Sequence, residues 1–275
     1  MGEQKYHIEP NTVQETLVIP LYGKKRCSEQ FPHFFTDPSA VALVDRIDYD
    51  WSRLPDNFIS RFGAVESGMR VLDLAWEIRD YLKSHPRACV VNLGCGLDDL
   101  FPRIDNGQCR GFNLDYPDVI AIRNELMPPH ERETNLAVDL NDYTWMEQVD
   151  YNYDDGIVLV ASGVFYYFEV PAAEALFSAM ESAFPNGRLA FDTGNAKALK
   201  LMLKTYITGA DMQLDAFFCL EDPQSMQAFL PRTKISARGY MTGYTKLDKS
   251  MPLLYRFMGS FGDKVYALRI VRLDF

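Results

Sequence analysis

The stretch Ala88-Cys89-Val90-Val91-Asn92-Leu93-Gly94-Cys95-Gly96-Leu97-Asp98-Asp99 decides the fold. Its first half is a short apolar run, of the kind buried on both faces of a parallel sheet. The run stops at a Gly-x-Gly turn, where missing side chains let the backbone approach a ligand closely. Asp115 follows Gly94 by 21 residues, at the end of the next expected strand, where an acid can take a ribose diol.

The same cadence extends in both directions. Apolar positions Met69, Leu72, Leu74, Ala75, Ile78 and Leu82 predict a helix over 69–84, ended by His85-Pro86. Strands are expected near 109–114, 135–138, 156–161 and 188–192, with helices near 118–126 and 172–184. Strands alternating with helices make a mostly parallel α/β sheet. Residues 1–68 read as an N-terminal helical cap, 69–195 as the ligand-binding core, 196–234 as a helical lid or insertion, and 235–275 as C-terminal strands of one domain. Phe261-Gly262-Asp263 reads as a turn before an antiparallel edge strand over 264–273, closing a terminal hairpin.

Composition narrows the chemistry. The chain has 275 residues and a formal charge of -10, which repels nucleic acid backbones and anionic membranes. Five scattered cysteines with no Cys-x-x-Cys spacing support neither structural zinc nor a disulfide framework, and no metal is expected. No signal-like or membrane-spanning apolar segment stands out, so a cytoplasmic protein is expected. Position 99 is Asp, so the third glycine of a dinucleotide fingerprint is missing. Asp98 and Asp99 would also disfavour a pyrophosphate, whereas a cationic sulfonium suits an acidic mouth.

The motifs Leu21-Tyr22-Gly23, Thr36-Asp37-Pro38, Asn92-Leu93-Gly94-Cys95-Gly96-Leu97-Asp98, Asp115-Tyr116-Pro117-Asp118-Val119-Ile120, Val138-Asp139-Leu140-Asn141-Asp142, Gly163-Val164-Phe165-Tyr166-Tyr167-Phe168 and Phe191-Asp192 follow in that order. In this the chain resembles the leucine carboxyl methyltransferases and the bacterial tetracenomycin-type polyketide O-methyltransferases. The resemblance implies a Rossmann-like class I methyltransferase fold, with a mostly parallel seven-stranded sheet and an antiparallel terminal strand. It also implies S-adenosylmethionine as cofactor and S-adenosylhomocysteine as product. Gly94, Cys95 and Gly96 would flank the methionine part, Asp115 and Tyr116 the ribose, and Asp139 with Leu140 the adenine. Arg70, 24 residues before Gly94, would take the cofactor carboxylate, with Arg61 as the competing choice. Ser162 stands beside the cofactor where the family usually carries Glu.

Methyl transfer from a sulfonium is an in-line displacement, so alignment and exclusion of water matter most. A carboxylate acceptor is already ionised near neutral pH and needs only orientation. A phenol or alcohol would need a base, such as Asp192 or Glu169. Tyr166 and Tyr167 follow the fourth strand of the core and could position the acceptor, or simply pack beneath the lid. Asp139 could instead cap a turn, Arg70 could serve a salt-bridged helix face, and Lys24-Lys25-Arg26 could be a solvated face or meet an acid. The expected acceptor is a small or polyketide-like acid, or a protein C-terminal carboxylate. A cofactor-binding scaffold or sensor with weakened catalysis is the rival that Ser162 motivates, and a nicotinamide dehydrogenase is the third reading.

Overall fold

The computed structural model describes residues 5–10, 14–206, 217–245, 247 and 249–275. Strands β1 (Tyr6–His7) and β2 (Ile47–Asp48) form a small parallel pair beside helices α1 (Glu15–Gln30) and α2 (Pro38–Arg46). Helix α3 (Phe58–Leu82) leads to β3 (Cys89–Leu93), then α4 (Phe101–Ile104), β4 (Arg110–Asp115), α5 (Pro117–Leu126), β5 (Glu133–Ala137) and β6 (Ile157–Ala161). There follow α6 (Val170–Ala183), β7 (Arg188–Thr193), α7 (Ala196–Tyr206), β8 (Lys234–Gly239), α8 (Leu253–Val265) and β9 (Arg269–Asp274).

The large sheet has seven strands in the order β5-β4-β3-β6-β7-β9-β8. Strands β3 to β7 are mutually parallel, and β9 runs antiparallel to both β7 and β8. Leu93 pairs with Leu114 on one side and Ala161 on the other, so β3, β4 and β6 end at a common edge. The chain order reverses at β3, which places an opening for a ligand beyond those ends. Gly94, Asp115 and Ser162 all emerge there.

Side-chain alternation on β3 feeds two cores. Cys89, Val91 and Leu93 join Leu159, Phe177 and Phe191 in one, while Val90 joins Leu74, Ile78, Val158 and Ala190 in the other. Helix α3 starts at a capping box between Asn57 and Ser60 and runs unbroken across residues 68 and 69. Arg188 of β7 fastens it to the sheet through Glu77 and Asp80 of α3 and Asp274 of β9.

Two expectations at the C-terminus are corrected. Phe261-Gly262-Asp263 is not a turn but part of α8, whose helical register lets Gly262 pack against Leu268. The last strand is antiparallel but lies second from the edge, because β8 pairs on its outer side and α8 replaces a hairpin connection. In the expected lid, α7 and a 3-10 turn at Pro223–Ala228 are found, and residues 207–216 lie outside the described ones.

Candidate active site

A cavity of about 1760 Å³ opens beyond the ends of β3, β4 and β6. Pockets for one drug-sized ligand span about 300–1,000 Å³, so this one has room for two molecules side by side. Its walls include Gly94, Cys95, Gly96, Asp115, Tyr116, Leu140, Ser162, Tyr166, Tyr167, Asp192 and Arg70, eleven of the twelve residues expected from sequence.

The twelfth, Asp139, is exposed, and its Oδ1 accepts hydrogen bonds from the backbone and side-chain nitrogens of Asn141. It closes a turn, and Val138, Leu140 and Asn141 form the wall at that point. Arg61 pairs with Asp56 at the surface and does not line the cavity. Lys24 does line it, but is buried against Asp98 at 2.6 Å, while Lys25 pairs with Glu29 and Arg26 with Asp56. Burial would raise the Asp98 carboxyl, yet Lys24 outweighs it and holds it below the usual range. The basic run is neither a solvated face nor a set of unpaired cations.

The glycines are required by backbone and space alike. Gly94 and Gly96 have φ of +59° and +48°, and a Cβ on Gly94 would meet Val164 Cγ2 at 2.7 Å. Cys95 between them donates its amide to Leu114 O, and burial pushes its thiol up to about 12, so it is no nucleophile near neutrality. Asp115 receives the amides of Gly96 and Tyr116 at 2.8 Å each. Burial raises its carboxyl despite those two donors, and each oxygen keeps a lone pair for a diol.

Asp192 takes the amide of Gly163 at 2.6 Å on Oδ1 and Arg70 Nη1 at 3.1 Å on Oδ2. With one donor on each oxygen, its side chain fixes both Arg70 and the turn after β6. Gly163 has φ of +70° and leaves space where a Cβ would stand 3.0 Å from Arg70 Nη1. Tyr166 is buried and its hydroxyl pushed well above the ordinary range by burial, with Asp192 adding to it. Tyr167 is half exposed at the cavity rim.

Sequence reasoning missed three polar groups on this wall: Asn92, Glu66 and Tyr240. Asn92 lies inside the decisive strand, and its Nδ2 is buried without a partner. Glu66 precedes Arg70 by one helical turn, a spacing that could have revealed it. Tyr240 donates its hydroxyl to the Glu66 carbonyl at 2.6 Å across 174 residues, which no local pattern reveals.

The residues fit an S-adenosyl group: a glycine cradle, an acid at the ribose position, and an arginine that commits one of its donors to Asp192. The family model of leucine carboxyl methyltransferases matches residues 25–181. The chain belongs to this family. It is an S-adenosylmethionine-dependent O-methyltransferase. The tetracenomycin polyketide synthesis O-methyltransferase TcmP of Streptomyces glaucescens is 31% identical over 197 residues, covering 70% of this chain and 68% of that protein. A crystal structure from Thermobifida fusca YX, described as that of a methyltransferase, superposes with a TM-score of 0.60 at 12% identity, over 95% of this chain and 93% of the other. A DUF574 family protein from Streptomyces avermitilis MA-4680 does so with a TM-score of 0.57 at 10% identity, over 94% and 96%. At such identities the structural likeness concerns the fold alone. Among the described residues, no helix of this methyltransferase is long and apolar enough to cross a membrane.

Proposed function

We propose that this methyltransferase carries the methyl group of S-adenosylmethionine to a carboxylate oxygen of a small, largely apolar acid of polyketide type. The observation that carries the reading is the size and mixed lining of the cavity. Gly94, Gly96, Asp115 and the Arg70–Asp192 pair supply polar groups. Ile19, Phe62, Met202, Phe257, Met258 and Phe261 supply apolar wall. The polyketide acceptor of the TcmP relative is consistent with that apolar wall.

The bound cofactor supplies an activated methyl on a sulfonium. The chain's own residues then bind, orient and dry the site. Arg70 holds the methionine carboxylate, Asp115 the ribose, and Val138 and Leu140 cover the adenine, while Asp139 shapes their turn. Tyr166 and Tyr167 position the acceptor. An ionised carboxylate needs no base, which agrees with the engagement of Asp192 by Arg70 and Gly163. Cys27, Cys89, Cys95 and Cys109 are buried thiols outside any disulfide, which supports a reducing, cytosolic location. The described parts of residues 1–68, 69–195, 196–234 and 235–275 serve as cap, cofactor core, lid and C-terminal segment of one domain, with α3 crossing the first boundary and α8 joining two strands in the last segment.

Calorimetric titration with S-adenosylmethionine, S-adenosylhomocysteine and NADH, followed by an acid panel scored by S-adenosylhomocysteine formation, tests the reading. Turnover restricted to apolar acids supports it, and turnover only on phenols or alcohols refutes the carboxylate assignment. Ser162 favours a second reading, a cofactor-binding sensor with weakened catalysis. Binding of both sulfur ligands without turnover on any acceptor would select that one.

A further inference from the structure

Among the described residues, six carboxylates line the cavity: Glu15, Glu66, Asp98, Asp115, Glu169 and Asp192. Four are committed, Glu15 to Tyr49, Asp98 to Lys24, Asp115 to two backbone amides, and Asp192 to Arg70 and Gly163. Glu169 is exposed to water at the start of α6. Glu66 is the half-buried one with no side-chain hydrogen bond or ion pair among the described residues.

Its position gives it a use. Glu66 and Arg70 are four residues apart on α3, so their side chains share one face about 5–6 Å apart at Cβ. An amino-acid head group carries a carboxylate and an ammonium on neighbouring atoms, and a guanidinium beside a carboxylate is its complement in charge. Tyr240 steadies this turn of helix by bonding the Glu66 carbonyl.

We propose that Glu66 is a cofactor-binding residue, whose carboxylate pairs with the ammonium of the methionine moiety while Arg70 takes its carboxylate. The proposal rests on the S-adenosylmethionine reading. It also accounts for Ser162, which lines the same cavity without a charge: the negative group beside the cofactor comes from α3 rather than from the turn after β6. Burial pushes the Glu66 carboxyl up to about 7 against the pull of Arg70, with Asp263 adding to the rise, so an arriving cation would find a group ready to ionise.

The test compares two ligands by calorimetry on the full chain. S-adenosylhomocysteine carries the amino-acid head, and 5′-methylthioadenosine has the same adenosine and thioether without it. Glu66→Gln should weaken S-adenosylhomocysteine about tenfold or more and leave 5′-methylthioadenosine unchanged. Adding Ser162→Glu to Glu66→Gln should restore part of the loss by returning a carboxylate to the cavity wall. Equal affinity of Glu66→Gln and wild type for S-adenosylhomocysteine overturns the proposal, as does an equal loss for both ligands. If the wild type binds 5′-methylthioadenosine but not S-adenosylhomocysteine, the head-group assignment fails. If it binds neither, the methyltransferase reading beneath it fails too.

Discussion

Arg70 on α3 and Asp192 at the end of β7 meet at 3.1 Å across 122 residues of sequence, and the other oxygen of Asp192 holds the amide of Gly163. One carboxylate thus sets the position of a cationic side chain and of a cavity-lining turn together. Asp192→Ala should leave Arg70 buried without its counter-charge, at a cost of about 3–5 kcal/mol by denaturant unfolding. Asp192→Asn should keep the shape, weaken S-adenosylhomocysteine about tenfold, and leave the pH profile of turnover unmoved. Loss of one limb of that profile would make Asp192 a base after all.

The glycine turn should tolerate no side chain. Gly94→Ala places an L-residue at φ +59° and drives its methyl into Val164. A melting experiment should register about 1–2 kcal/mol of strain or more, with cofactor affinity falling alongside. A variant as stable and as tight as wild type would mean that the turn is free to move.

Asp115→Ala removes the acceptor of two backbone amides and, in the proposed cofactor pose, of the ribose diol. Loss of about 10–100-fold in S-adenosylhomocysteine affinity is expected, with 5′-methylthioadenosine equally affected because the ribose is common to both. A selective loss for one of them would remove Asp115 from the ribose.

Asp73 predicts a pH dependence of stability. Burial, with Asp263 of α8 and Glu77 of its own helix adding, pushes this carboxyl up to about 9, offset only in part by the backbone at Thr245. The folded state therefore holds a proton that the unfolded chain releases near pH 4. Stability from this group is complete below that value and is lost as pH rises toward about 9. Asp73→Asn should stabilise the protein at pH 8, on the order of 1–3 kcal/mol, and flatten its decline with pH. Denaturant midpoints at pH 5 and pH 8 decide, and a larger gain at pH 5 would reverse the argument.

Legibility in the sequence followed burial. Strands such as Ile157–Ala161 are covered on both faces and write unbroken apolar runs, so the parallel half of the sheet was readable. Strand β8, Lys-Ile-Ser-Ala-Arg-Gly, lies at the edge with Lys234, Ser236 and Arg238 facing water, and carries almost no strand signature. Helix α8 was mistaken because Gly262-Asp263 looks like a turn, whereas that glycine gives room to Leu268 and that carboxylate accepts the amide of Met241. Gly94 and Asp115 were found because their partners lie within one strand-turn-strand unit. The engagement of Asp192 by Arg70 and the bond of Tyr240 to the Glu66 carbonyl depend on pairings across the whole chain, which spacing cannot display.

The exposed apolar side chains Leu254, Phe257 and Phe261 on α8 line the cavity from an element outside the sheet. Phe257→Ala should raise the acceptor KM and leave S-adenosylhomocysteine affinity unchanged in a parallel titration; a fall in both would place Phe257 against the cofactor.

The separation has a further consequence for descent. Gly94, Asp115 and Asp192 sit at strand ends, where one exchange disturbs several partners, while α8 contributes to the cavity a helical row whose members mostly touch solvent. Mutation can therefore explore new acceptors at α8 while the methyl donor stays constant, so a lineage of such enzymes diversifies its chemistry at the periphery and inherits its centre.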